Sequence, residues 1–164
     1  MFKTKLLILL LINFLLIACI KEDTTQNSHK FKIGYIGGEY DGLVLKNILN
    51  SYLNAQGIYN ESSQYEIRAD ISHGSNLYIT NIDNTSDRER ITSTLSITVN
   101  DNQLGCQIYN YNQTISQFYI FAGSDLFLSN KKAVKKIKQN NTDELVKKFF
   151  KNLNRASLIC NAQS

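Results

Sequence analysis

Proline and tryptophan are absent from this chain of 164 residues, histidine occurs twice and cysteine three times. The shortage of histidine excludes the most. His29 sits in a polar N-terminal stretch and His73 beside Gly74 and Ser75, so neither a metal-ligand spacing nor a base–nucleophile pair can be drawn. Gly37-Gly38 lacks the spacing of a phosphate-cradling loop and reads as a turn. Asp83, Asp87 and Glu89 gather near a hairpin, where turn chemistry attracts such residues anyway. No enzyme, metal or cofactor is expected on these grounds. The missing proline and tryptophan accompany a wealth of Asn, Lys and Ile. That bias is the mark of an AT-rich genome, so asparagine content carries little functional weight. No internal repeat is visible.

What is present begins at the N-terminus. Lys3 and Lys5 precede an apolar stretch from Leu6 to Ile17 broken only by Asn13. This is a charged n-region and a short h-region, too short to remain as a spanning helix. Leu16-Ile17-Ala18-Cys19 closes it and resembles the lipobox of bacterial lipoproteins. By that resemblance residues 1–18 are a signal peptide, and Cys19 carries a diacylglycerol thioether and an N-acyl chain (palmitate). Several acyl chains at about 0.8 kcal/mol per buried methylene would make a permanent anchor. The other reading is an ordinary signal with an incidental cysteine.

Removal of the signal leaves enough chain for one domain with a modest core. The mature charge is close to neutral, but its distribution is uneven. Lys131 to Arg155 holds nine cationic side chains against Asp143 and Glu144, whereas residues 19–130 hold seven basic and twelve acidic ones. The C-terminal helix could meet something anionic, or simply present a solvated face. No nucleic-acid partner is implied. Cys106 and Cys160 could form a disulfide in an oxidising compartment, or remain two unpaired thiols.

Residues 19–30 read as a polar tether. Phe31, Ile33 and Tyr35 alternate in a short strand ended by Gly37-Gly38. Asp41 is placed to cap a helix from Gly42 to Gln56, with Gly57 at its C-terminal cap. Tyr65, Ile67, Ala69 and Ile71 then alternate in a strand. His73-Gly74-Ser75 suggests a bulge or bend, and Leu77 to Ile82 continues extended. After a turn at Asp83–Asp87, the inward series Ile91, Ser93, Leu95, Ile97 and Val99 alternates with Thr92, Thr94, Ser96 and Thr98. Asn100-Asp101-Asn102 turns the chain into a returning strand from Gly105 to about Ile115. Val134, Ile137, Leu145, Phe149 and Leu153 mark a helix from about Ser129 to Asn154. Asn141 interrupts its stripe, and Asn141–Glu144 also reads as a fresh start. The continuous helix is favoured over a break near Asn140. The expected fold is α+β, order β-α-β-β-β-α, with two helices packed on one face of a small, mostly antiparallel or mixed four-stranded sheet. Its domain spans 31–155, and 156–164 form a flexible tail.

Several segments carry a further resemblance. Leu45-Lys46-Asn47-Ile48-Leu49 lies inside the first helix and Tyr65-Glu66-Ile67 opens the second strand. The hairpin Ile79–Val99 has Arg88-Glu89-Arg90 after its turn. Tyr111-Asn112 stands ahead of Phe121-Ala122 and a lysine-rich last helix with Ala133. From about Phe31 to Leu153 the chain resembles the LPS-assembly lipoprotein LptE family. The resemblance implies a non-enzymatic lipoprotein on the periplasmic face of the outer membrane. Its partner would be the LptD β-barrel, which such a protein plugs and helps assemble for lipopolysaccharide export. It also implies lipopolysaccharide contacts, transferred here to Arg88, Arg90, Lys131, Lys132 and Lys135. The family's aromatic-Pro-Leu-Tyr-like segment after the lipidated cysteine is replaced by the polar tether. Ile20 rather than Asp follows Cys19, so the simplest inner-membrane retention signal is missing. Rival readings are an auxiliary lipoprotein of a lipid-transport ABC system and a structural surface lipoprotein.

Overall fold

The computed structural model describes residues 29–79, 87–120 and 127–160. The signal peptide, Cys19, most of the tether and the turn Asp83–Asp87 up to its last residue lie outside them. So do Phe121-Ala122-Gly123 and the last four residues. The element order is β1 (Phe31–Gly37), α1 (Glu39–Ala55), β2 (Tyr65–Ile79), β3 (Asp87–Asp101), β4 (Cys106–Ile120) and α2 (Phe127–Leu153). The sheet order is β1-β2-β3-β4, with β1 parallel to β2 and the other pairs antiparallel. Both helices pack on one face, the expected α+β arrangement.

The alternation in β3 explains why. Ile91, Ser93, Leu95, Ile97 and Val99 are all fully buried, while Thr92, Thr94, Ser96 and Thr98 point the other way. A two-residue period leaves one apolar face, and that face needs a cover. Leu45, Leu49 and Leu53 of α1 and Leu145, Phe149 and Leu153 of α2 supply it. Tyr111 reaches up from β4, donating its hydroxyl to Leu145 O at 3.2 Å, with its ring edge-on to Phe149 at 5.6 Å. Burial, with Tyr109 alongside, pushes that phenol up to about 12.

Several local expectations give way. Asp41 does not cap α1. The chain turns directly out of β1 through Gly38 at φ 101°, where Gly42 N–H donates to Gly38 O at 2.9 Å, and the helix starts at Glu39. Only glycine takes that backbone without strain. Gly42 must also stay small, because a Cβ there would lie 2.3 Å from Gly37 O. No bulge forms at His73-Gly74-Ser75; β2 pairs with β3 without a shift from Tyr65↔Asp101 to Ile79↔Asp87. A bulge would have turned His73 outward, whereas in unbroken register it continues the inward row of Ile67, Ala69 and Ile71. The register shifts instead between Ile33 and Ile36 and between Val99 and Asn100. β4 continues past Ile115 to Ile120. α2 is continuous through Asn140-Asn141.

The tail is held rather than free up to Cys160. Cys106 and Cys160 are joined in a disulfide with Cα atoms 5.7 Å apart, and Leu158 packs against the core.

The helices run in the same direction. Asp41, Tyr52 and the Tyr52 ring meet Lys138, Asp143 and Phe150 in rising order along both. They do not start at the same height. β1 leaves β2 at Gly37↔Asp70, so α1 begins near His73, whereas Asn141 of α2 already stands over Ser93, the partner of His73. α1 reaches α2 only from about Lys135 onward, where Tyr40 and Asp41 meet Lys135 and Lys138, so the first turns of α2 overhang the hairpin end of the sheet with no second helix beside them among the described residues.

Candidate functional site

That missing neighbour leaves a cleft of about 450 Å³ between the start of α1, the first half of α2 and the sheet. Tyr40, Val44 and Val134 give it apolar walls; His73, Glu89 and Tyr119 form its floor. Lys131, Lys135 and Lys138 enter from α2 at the helical spacing that brings side chains onto one stripe. Farther along, the same stripe carries Thr142, Leu145 and Phe149, which are buried. Over the cleft, cations replace the apolar residues a core would require. Lys138 Nζ lies 3.7 Å from Asp41 Oδ2, and Lys135 Nζ stands 5.4 Å over the Tyr40 ring. On the floor, Tyr119 donates its hydroxyl to Glu89 Oε2 at 2.7 Å; burial and this carboxylate hold the phenol far above its ordinary value.

At the inner end of the cleft lies a buried polar chain. Asn141 Nδ2 donates to Ser93 Oγ at 2.9 Å, and the Ser93 hydroxyl shares a hydrogen bond with His73 Nδ1 at 2.7 Å. On the other side of the ring, Nε2 lies 3.9 Å from Asp41 Oδ2. Burial lowers the imidazole's affinity for a second proton; Asp41 opposes this and Lys138 reinforces it. The order Asp-His-Ser resembles a nucleophile relay, but Ser93 has no exposed surface and Asn141 covers it. As placed, the chain ties α2 to β2 and β3 and offers no hydroxyl to a substrate.

Among the described residues no helix covers the other face of the sheet. Thr92 and Thr94 bond across to Ser116 and Thr114 at 3.0 and 2.9 Å, so a flat hydroxyl ladder runs along β3 and β4, with Asn112 opposite Ser96 and Asn110 opposite Thr98. Towards the hairpin end, the Arg90 guanidinium lies between Tyr78 and Phe118, 5.0 and 4.8 Å from their ring centres. At the opposite end, Glu66 accepts from Asn102 at 2.9 Å and from Arg68 at 2.5 Å, which holds its carboxyl below the usual range.

The five residues expected to contact lipopolysaccharide do not form one site. Arg88 and Arg90 share the open face with the hydroxyl ladder; Lys131 and Lys135 line the cleft on the other side; Lys132 is exposed outside it. Sequence reading missed Lys138, Tyr40, Asp41 and His73. The signal available was the Lys131-Lys135-Lys138 spacing, in phase with Leu145 and Phe149. Cys19 lies outside the described residues. Among the described residues no acid, histidine and cysteine cluster could hold a metal, and no helix is long and apolar enough to cross a membrane.

Two parallel helices on one face of a mixed β-α-β-β-β-α sheet define a fold class also found among solved bacterial lipoproteins. One is a minor lipoprotein from Acinetobacter baumannii, 15% identical with a TM-score of 0.57, covering 78% of this chain and 92% of its own. Another is the rare lipoprotein B from Shewanella oneidensis, 10% identical with a TM-score of 0.52, covering 74% of this chain and 95% of its own. At such identities the likeness is one of fold. No family model and no curated protein matches the sequence.

Proposed function

We propose that this protein is a non-enzymatic lipoprotein, anchored through Cys19 at the periplasmic face of the outer membrane. There it acts as plug and assembly partner of an LptD-type barrel in lipopolysaccharide export. The observation that carries the reading is the uncovered sheet face. Its middle stretch, Thr92, Thr94, Ser96, Thr98, Thr114 and Ser116, is polar and uncharged, with Thr92 and Thr94 bonded across to Ser116 and Thr114, while Arg88 and Arg90 stand beyond it toward the hairpin end. Such a stretch can lie against the polar wall of a barrel lumen without burying unpaired charge. The lipobox and the fold shared with solved lipoproteins support the anchor. In the same reading, lipopolysaccharide phosphate would meet Lys131 and Lys135 at the cleft rim, with an acyl chain along Tyr40, Val44 and Val134.

The experiment is affinity purification of the mature lipoprotein in mild detergent, with identification of the largest co-eluting membrane protein. A β-barrel is expected. Recovery of an inner-membrane transporter, or of the protein alone, would defeat the proposal.

A further inference from the structure

Two lysine rows run along the first half of α2, and only one of them faces the cleft. Lys132 and Lys136 are exposed, and neither has an ion pair among the described residues. Lys136 borders the groove between the helices beside Val44 and Asn47. Next to it the outer side of α1 raises two large side chains into solvent, Tyr40 at 59% and Leu43 at 56% exposure. α2 has no acid before Asp143, and Asp143 and Glu144 are paired with Lys147 and Lys148 at 2.7 and 2.8 Å. Asp41 is engaged by Lys138, leaving Glu39 as the exposed acid at the start of α1. The outer helix surface at this end is thus cationic, with an aromatic and a branched apolar residue standing out of it.

We infer that this surface docks on an anionic phospholipid bilayer, the leaflet to which the chain is anchored. The inference rests on the lipid-anchor reading above. Charge complementarity argues for the occupant: lysines beside an exposed tyrosine and leucine match phosphate headgroups above an acyl boundary. The chain outside the structure argues for it too. A tether over 19–28 spans at most about 35 Å when extended, so the body never leaves the neighbourhood of the leaflet and a weak surface suffices. Helix layer and sheet layer then divide the work. Before the barrel takes up the domain, the basic outer face rests on lipid and leaves the hydroxyl face open for capture.

The test uses the mature chain from residue 19 with Cys19→Ser, so that no acyl group contributes. It is floated with phosphatidylcholine vesicles and with vesicles containing about a third phosphatidylglycerol. Binding is expected only to the anionic vesicles, falling as salt shortens the screening length. Each lysine near the surface is worth about fivefold, so Lys132→Gln with Lys136→Gln should weaken binding about 25-fold. Tyr40→Ser with Leu43→Ser should weaken it as well, while Thr94→Tyr on the opposite face leaves it unchanged. Absence of binding at low salt, equal binding to neutral vesicles, or full binding by the lysine double variant overturns the inference. The mass of the chain purified from cells reports acylation of Cys19 separately, so a failed anchor and a failed docking surface are told apart.

Discussion

Asn141 Nδ2 donates to Ser93 Oγ at 2.9 Å, joining a polar residue in the apolar stripe of α2 to a polar residue in the inward row of β3. Each alone would be a costly buried group; the bond pairs the Asn141 amide N–H with the Ser93 hydroxyl across the helix–sheet interface, while Asn141 Oδ1 stays buried without a partner among the described residues. Asn141→Ala should destabilise the domain by about 1–3 kcal/mol, and Ser93→Ala by a similar amount. The double replacement should cost less than the two singles summed, by more than about 0.5 kcal/mol. Urea denaturation of the four proteins measures this; strict additivity would mean the pair is not coupled.

His73 gives the domain a pH dependence with a definite sign. Burial holds its folded-state pKa below the ordinary 6.5, so just below that pH the unfolded chain binds a proton that the folded chain refuses. Stability should decline as pH falls through the ordinary histidine range and level off below the lowered value. Glu66 also loses stability on acidification, but in a lower window. Its folded carboxyl is held below 4.5, so its contribution is present above that value and disappears as pH falls through the lowered one. Denaturation midpoints across pH should lose the upper step in His73→Gln and the lower step in Glu66→Gln.

The Cys106–Cys160 bridge closes a loop with a sequence separation of 54 residues. Chain-entropy arguments assign such a closure about 4 kcal/mol. Reduction, or Cys160→Ser, should lower stability by up to that amount and expose Leu158 to exchange. Thermal denaturation with and without reductant tests it; equal midpoints would show that the tail is held by packing alone.

On the open sheet face, Thr94→Tyr and Ser96→Tyr should leave the stability of the isolated domain within about 0.5 kcal/mol. Co-purification with the proposed barrel partner should fall sharply. If co-purification is unaffected, the hydroxyl ladder is not the contact surface.

At the cleft, Lys131→Ala with Lys135→Ala should weaken the lipopolysaccharide binding proposed above, because the two cations offered to phosphate are removed at once. Arg88→Ala should weaken it far less, since that side chain lies on the opposite face. Direct titration with purified lipopolysaccharide separates the two sides.

The order of elements was legible because β3 and the two helices carry clean periods of two and of three-to-four. The bury-and-expose pattern of Ile91 to Val99 is decided by the pleat alone. Asn141 was not legible: along the helix it is a fault, and only the sheet, 48 residues away in sequence, supplies its partner. At Asp41 a local capping rule lost to Gly38, whose positive φ let the chain enter the helix earlier. His73 was misjudged because Gly74 suggested a bend, whereas the inward row of β2 simply continued through it. The cleft escaped notice for a different reason. It exists because α1 starts lower than α2, and that offset is set by where β1 leaves β2.

One further property follows from the helices running in the same direction. In an antiparallel pair the backbone dipoles would cancel; here they add, each placing about half a positive charge at its first turn. Both first turns lie toward the hairpin, away from the end where the chain enters β1. The backbone itself therefore gives the molecule a standing electrical polarity along its length. No change of pH and no lysine substitution can remove it.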